Sequence, residues 1–108
     1  MPDNLDLVQL RRAIRSSRAE WQRHALERMV ERDIRRSDVL EAILSGEEIE
    51  DYPIDRPFPS ALFLGWIGSR PLHVVVAYDS KNERAYVITA YEPDLLHFEP
   101  GFRKRRTP

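Results

Sequence analysis

The residues that most limit what this chain can fold into are Val74-Val75-Val76-Ala77, apolar at every position inside the stretch Leu72 to Tyr78. A strand with one wet face alternates polar with apolar side chains. A run without alternation therefore predicts a strand covered on both sides, central in its sheet, with helix packed on at least one face. Its neighbours have hairpin spacing. Ala61 to Ile67 precedes it across Gly68-Ser69-Arg70-Pro71, and Ala85 to Tyr91 follows it across a turn from Asp79 to Glu83. Ile49 to Ile54 reads as a short edge strand, with Pro53, Pro57 and Pro59 marking the irregular connection beyond it.

The first half has helical period instead. Residues 4 to 15 carry Leu5, Val8, Leu10 and Ile14 among charges, which predicts a short amphipathic helix frayed at its start. Ser16-Ser17 breaks it, with Ser17 set to cap the next helix. That next helix is expected as one stretch from Trp21 to Arg32, burying Trp21, Ala25, Leu26, Met29 and Val30. Ser37 is expected to cap a third helix with Val39, Leu40, Ile43 and Leu44 as its buried stripe and Gly46 as a left-handed stop. The fold class expected is α+β, with N-terminal helices followed by a three- or four-stranded antiparallel sheet. At 108 residues and 42% hydrophobic content the chain suffices for one core, so a single domain over 1–108 is expected, ending in a flexible basic tail from 102 to 108.

Composition removes several chemistries. Without cysteine there is no disulfide scaffold, thiolate metal site or cysteine nucleophile, and a reducing compartment fits. The opening Met-Pro-Asp-Asn-Leu-Asp lacks the basic and apolar regions of a secretory signal, and no apolar run nears the ~18 residues needed to span a bilayer. A cytoplasmic protein with no membrane partner is the expectation. Net charge is −1, but it is segregated: residues 11 to 36 hold nine arginines against four acids, residues 37 to 55 hold seven acids and no base, and Arg103, Lys104, Arg105 and Arg106 follow Gly101.

Within the second helical stretch His24, Arg28 and Arg32 lie four residues apart, which stacks an imidazole and two guanidinium groups over roughly 80° of one helix side. Cleaving a phosphodiester in RNA requires proton transfers at the 2′- and 5′-oxygens, which suit histidine, and cations on the phosphorane oxygens, which suit arginine. A salt-bridged helix face would look the same, because Glu20 lies one turn before His24 and Glu31 three residues after Arg28. Thr89 and Tyr91, read as sharing one alternation of the last strand with Val87, place two hydroxyls at its end. His73, on the central strand, reads as a core or rim histidine. Arg103 and Arg105 offer contacts to a nucleic-acid backbone, although such a run also suits a solvated terminus. His24, His73 and His97 lack metal-ligand spacing, and there is no phosphate-cradling glycine loop or nucleophile elbow, so neither a metal nor a cofactor is expected.

Taken together, Arg23-His24-Ala25-Leu26-Glu27-Arg28-Met29, Arg32-Asp33-Ile34, Asp38-Val39, Gly46 to Pro53, Leu72-His73-Val74-Val75 and Ile88 to Pro93 resemble the small bacterial proteins of domain-of-unknown-function family 4258. That family is similar in layout to RelE-like and barnase-like ribonuclease toxins. The resemblance implies a toxin-type, metal-independent endoribonuclease working on RNA beside an antitoxin. His24, Arg28 and Arg32 would carry the family's helix motif, and Thr89 and Tyr91 its last-strand motif. The near-neutral net charge departs from the basic character common in such toxins. The rival expectation is a non-catalytic protein- or nucleic-acid-binding module of a bacterial regulatory complex. Its acidic 37–55 region and basic helix face would dock a partner protein or a second copy as a homodimer.

Overall fold

The computed structural model describes residues 5–107; the chain start weighed above as a non-signal, and the first residue of the expected first helix, lie outside them. The elements run α1 (Leu7–Arg15), β1 (Ala19–Trp21), α2 (Arg23–Glu31), α3 (Arg36–Ser45), β2 (Glu47–Tyr52), β3 (Ser60–Ile67), β4 (Arg70–Asp79) and β5 (Arg84–Tyr91). The protein is α+β, as the periods predict. Its sheet, however, has five strands in the order β1-β5-β4-β3-β2. It is also mixed, because β1 pairs with β5 in parallel while the other pairs are antiparallel. The expected sequence of helices first and sheet second thus fails at one point, since a strand stands between α1 and α2. Three residues are too few to show a period of two, so by sequence Trp21 reads as part of the helix that follows.

β4 is central, and β2 forms one edge, as expected from the sequence. One sheet face packs the helices. Phe63, Leu72, Val74, Val76 and Val87 are buried there with Leu10, Met29, Val39 and Ile43. Burying each such side chain contributes on the order of 1.5–3 kcal/mol before ordering costs. The helices bury narrower stripes than expected: Val30 and Val8 remain 82% and 68% exposed, and α2 buries only Ala25 and Met29. With two turns and an i, i+4 contact line, α2 has no second neighbour to cover Val30.

Local signals also differ. Ser17 takes φ 58 as the left-handed residue that closes α1, with its N–H donating to the Ile14 carbonyl and that of Arg18 to Ala13, and it does not cap α2, whose N-cap is Gln22, without a side-chain bond. The N-cap of α3 is Arg35, two residues before the expected cap Ser37, and there the Asp38 carboxylate accepts from the Arg35 N–H at 2.9 Å. Gly46 is extended (φ −84, ψ −174) and not left-handed. Glycine is required there by space: a Cβ would lie 2.1 Å from the Ala42 carbonyl oxygen and 2.5 Å from that of Leu64. Arg11 closes the same helix end, its Nε and Nη2 donating to the Ile43 and Gly46 carbonyls at 2.9 and 3.0 Å.

Helix α3 meets the sheet at Gly65, where a Cβ would come within 2.5 Å of the Ala42 Cβ and 2.7 Å of its Cα. Gly65→Ala is expected to cost about 1–3 kcal/mol through this overlap. Gly68→Ala, at φ +62 with open space around it, is expected to cost only about 1 kcal/mol of backbone strain. Denaturant titration of both variants checks the difference, and equal losses would mean that α3 does not approach β3 this closely.

Candidate functional site

Among the described residues the second sheet face carries no helix. Across it Glu47, Leu64, His73 and Tyr91 stand in one row of paired residues, and Glu50, Leu62, Val75 and Thr89 in the next. Thr89 and Tyr91 reach this face because the β4–β5 register shifts by one residue: Val76 pairs with Val87, Val75 pairs with Thr89, and Ile88 has no partner. The expectation that both hydroxyls share a face with Val87 is therefore corrected, as Val87 belongs to the helix-side core.

The C-terminal segment covers this face instead of trailing away as a flexible tail. Phe98 is buried with its ring 4.5 Å from that of His73, edge to face. Arg103 pairs with Glu47 at 2.6 Å and Arg105 with Glu50 at 2.9 Å. The Arg105 guanidinium also lies 5.0 Å from the centre of the Phe98 ring and donates to the Tyr52 hydroxyl, which itself donates to Glu50. The backbone clasps as well, through Glu99 N–H to the Lys104 carbonyl and Arg106 N–H to that of His97.

Between this segment, the end of β5 and the end of α2 lies a cavity of about 610 Å³. Arg32, Arg70, Tyr91 and Arg105 line one part of it, and Glu92 through Asp94 with His97 and Phe98 the other. Of the residues singled out from the sequence, Arg32, Tyr91 and Arg105 meet here. His24, Arg28, Thr89 and Arg103 do not line it. His24 is exposed, with no hydrogen-bond partner among the described residues, and lies roughly 12 Å along the helix from Arg32 at 1.5 Å per residue. Arg28 pairs with Glu31 at 3.2 Å, the salt-bridged face foreseen as the simpler reading, while Glu20 pairs with Arg84 and not toward His24.

The three cations of the cavity differ in what they have left to offer. Arg70 is spent on structure: Nε meets Glu92 at 2.6 Å, and Nη1 and Nη2 donate to the Asp33 and Arg32 carbonyls at the end of α2. Arg105 is held by Glu50 and Tyr52. Arg32 gives one Nη1 hydrogen to the Ala90 carbonyl at 2.8 Å, and its other N–H groups have no protein acceptor among the described residues.

By sequence His97 stands out only as one of three histidines without metal-ligand spacing. Its Nδ1 lies 2.8 Å from Asp94 Oδ1, which also accepts the Leu96 and His97 backbone N–H groups at 2.9 Å. A carboxylate only accepts, so Nδ1 bears the hydrogen and Nε2 is left to take or give a proton. The His97 ring bond, with the backbone bonds behind it, holds the Asp94 carboxyl below the usual carboxylate range. The signal available in sequence was Asp-x-x-His directly after the last strand. Thr89, by contrast, stands on the covered face opposite Val75.

The family model described as "Domain of unknown function (DUF4258)" matches residues 21–92, about two thirds of the chain. The chain belongs to the DUF4258 family. The matched part supplies Arg32, Arg70 and Tyr91, whereas His97, Phe98 and Arg105 lie beyond it. No curated protein and no solved structure gives a significant match. Among the described residues no helix is long and apolar enough to cross a membrane.

His73 binds the C-terminal segment to the sheet: its Nε2 lies 2.8 Å from the Phe102 carbonyl and its Nδ1 3.3 Å from the Tyr91 hydroxyl. Burial lowers its pKa below the ordinary 6.5, with Arg105 pushing the same way and the Phe102 bond and Glu50 opposing. Above about pH 6.5 both folded and unfolded states hold this ring neutral and it adds no pH dependence. Below that the unfolded chain takes the proton first, so stability falls as pH falls. Thermal midpoints measured from about pH 7.5 to 5.5 are expected to drop more steeply for the native protein than for His73→Gln, and parallel curves would contradict a buried neutral ring.

Proposed function

We propose that this DUF4258 protein is a toxin-type, metal-independent endoribonuclease that acts on RNA in the cytoplasm beside an antitoxin, with the cavity at the end of β5 as its reaction site. The observation that carries the reading is the convergence there of Arg32, Tyr91 and Arg105, from three distant segments, around the His97–Asp94 pair. The resemblance in layout to RelE-like and barnase-like toxins adds to it at the level of fold only.

The chemistry assigned to each group follows from what it has free. In cleavage the ribose 2′-hydroxyl gives its proton to a base as its oxygen attacks the adjacent phosphorus, the P–O5′ bond breaks, and the departing O5′ takes a proton. His97 Nε2 suits both transfers, accepting the 2′ proton and returning it to O5′, since the bond from Nδ1 to Asp94 fixes the ring with Nε2 free. The uncommitted N–H groups of Arg32 face the charge that develops on the phosphorane oxygens, where one well-placed donor contributes about 10²–10³ in rate. Arg105 adds field, while its pairing with Glu50 limits its role as a direct ligand. This reading moves the imidazole from His24 to His97.

A second reading, a non-catalytic docking module, draws on the pairing of Arg28, Arg70 and Arg105 with carboxylates. Expression in a bacterium separates the two. The native protein is expected to slow growth and degrade RNA. His97→Ala and Arg32→Ala should each reduce cleavage of a single-stranded RNA by about 10²-fold or more, and His24→Ala should leave it within about twofold. Intact RNA with folded native protein would favour docking.

A further inference from the structure

The cavity wall holds a hydroxyl whose hydrogen is already committed. His73 is fully buried, and its Nε2 sits 2.8 Å from the Phe102 carbonyl oxygen, which has no hydrogen to give. Nε2 therefore bears the ring hydrogen. In a neutral imidazole that leaves Nδ1 as a lone pair, and the group facing it at 3.3 Å is the Tyr91 hydroxyl, which must donate. The ring stays neutral because its site is dry: Phe98 packs on it, Arg105 disfavours a second positive charge, and Glu50 is drawn away onto Arg105. With its one hydrogen turned toward His73, Tyr91 presents only oxygen lone pairs to the cavity.

We infer that Tyr91 meets its ligand as a hydrogen-bond acceptor for a ribose 2′-hydroxyl, and that His73 is the positioning residue that sets this polarity. The step to ribose rests on the nuclease reading and follows from the neighbours. Arg32 and Arg105 share the wall with Tyr91 and draw a phosphodiester to it. A sugar–phosphate backbone carries acceptors throughout and one donor, the 2′-hydroxyl of RNA, which DNA lacks. A lone pair beside phosphate-binding cations thus favours RNA. Were the hydroxyl hydrogen free, Tyr91 would donate to phosphate oxygens and treat both backbones alike.

The test uses a five-nucleotide single-stranded RNA, the same sequence in 2′-deoxy form, and the full chain. By fluorescence anisotropy, with His97→Ala as the common background so that the RNA is not cleaved during the measurement, the chain with Tyr91 and His73 intact is expected to bind the RNA about tenfold more tightly, the scale of one well-formed hydrogen bond. Tyr91→Phe should bring RNA affinity down to that for the deoxy form and leave the latter unchanged. His73→Gln, which keeps a donor and an acceptor, should retain the preference, and His73→Phe should lose it. A readout independent of any ligand or variant is ¹⁵N NMR of the free protein at neutral pH. It should show His73 protonated at Nε2 and bare at Nδ1, and the other tautomer or an imidazolium would overturn the inference. Equal affinity for the two oligonucleotides alongside RNA cleavage would sink the inference and spare the nuclease. Neither binding nor cleavage would sink both.

Discussion

The face of the sheet away from the helices is organised around the bond between the His73 ring and the Phe102 carbonyl. A polar ring in the middle of the central strand has no water to turn to, and left without a partner it would cost about 1–3 kcal/mol. The C-terminal segment supplies that partner from its backbone and brings Phe98 to close the ring off. The same crossing carries His97 and Arg105 to the mouth of the cavity. One contact therefore serves the sheet and assembles the site.

The segregated charge is resolved inside the molecule. The acidic strand β2 receives the basic end of the chain through Glu47 with Arg103 and Glu50 with Arg105. Other arginines work as five-donor forks on backbone carbonyls: Arg11 at the end of α3, Arg18 on the Asn82 and Glu83 carbonyls of the β4–β5 turn, and Arg70 after α2. Arginine abundance is thus largely structural, and the chain is near neutral because its halves answer each other. Exposed pairs such as Arg103–Glu47 each contribute about 0–1 kcal/mol, so the clasp holds by sharing the load with Phe98 and the backbone.

The long strands were readable in the sequence because Leu72 to Tyr78 and its neighbours are apolar runs of strand length set between turn residues. β1 was not, since pairing with β5 comes from Ala19, Glu20 and Trp21 lying against a strand some sixty-five residues away. Of the site, Arg32, Tyr91 and Arg105 could be picked out by residue type and place. That His24 would not join them follows from the geometry of α2, which aims its C-terminal end, and not its first turn, at the cavity. His97 was missed because its meaning lies in Asp94 and in a backbone fold with no periodic signature.

The unpaired Ile88 gives β5 two allegiances. A strand of unbroken alternation would commit Val87, Thr89 and Tyr91 to a single side, so that either the core lost a valine or the cavity lost its tyrosine. The extra residue works as a phase shifter: upstream of it Ala85 and Val87 face the helices, and downstream of it Thr89 and Tyr91, at the same odd spacing, face the other way. Pairing Ile88 into the ladder would keep the composition intact and yet turn the tyrosine into the oily interior, whereas deleting it would restore plain alternation and leave the tyrosine where it stands.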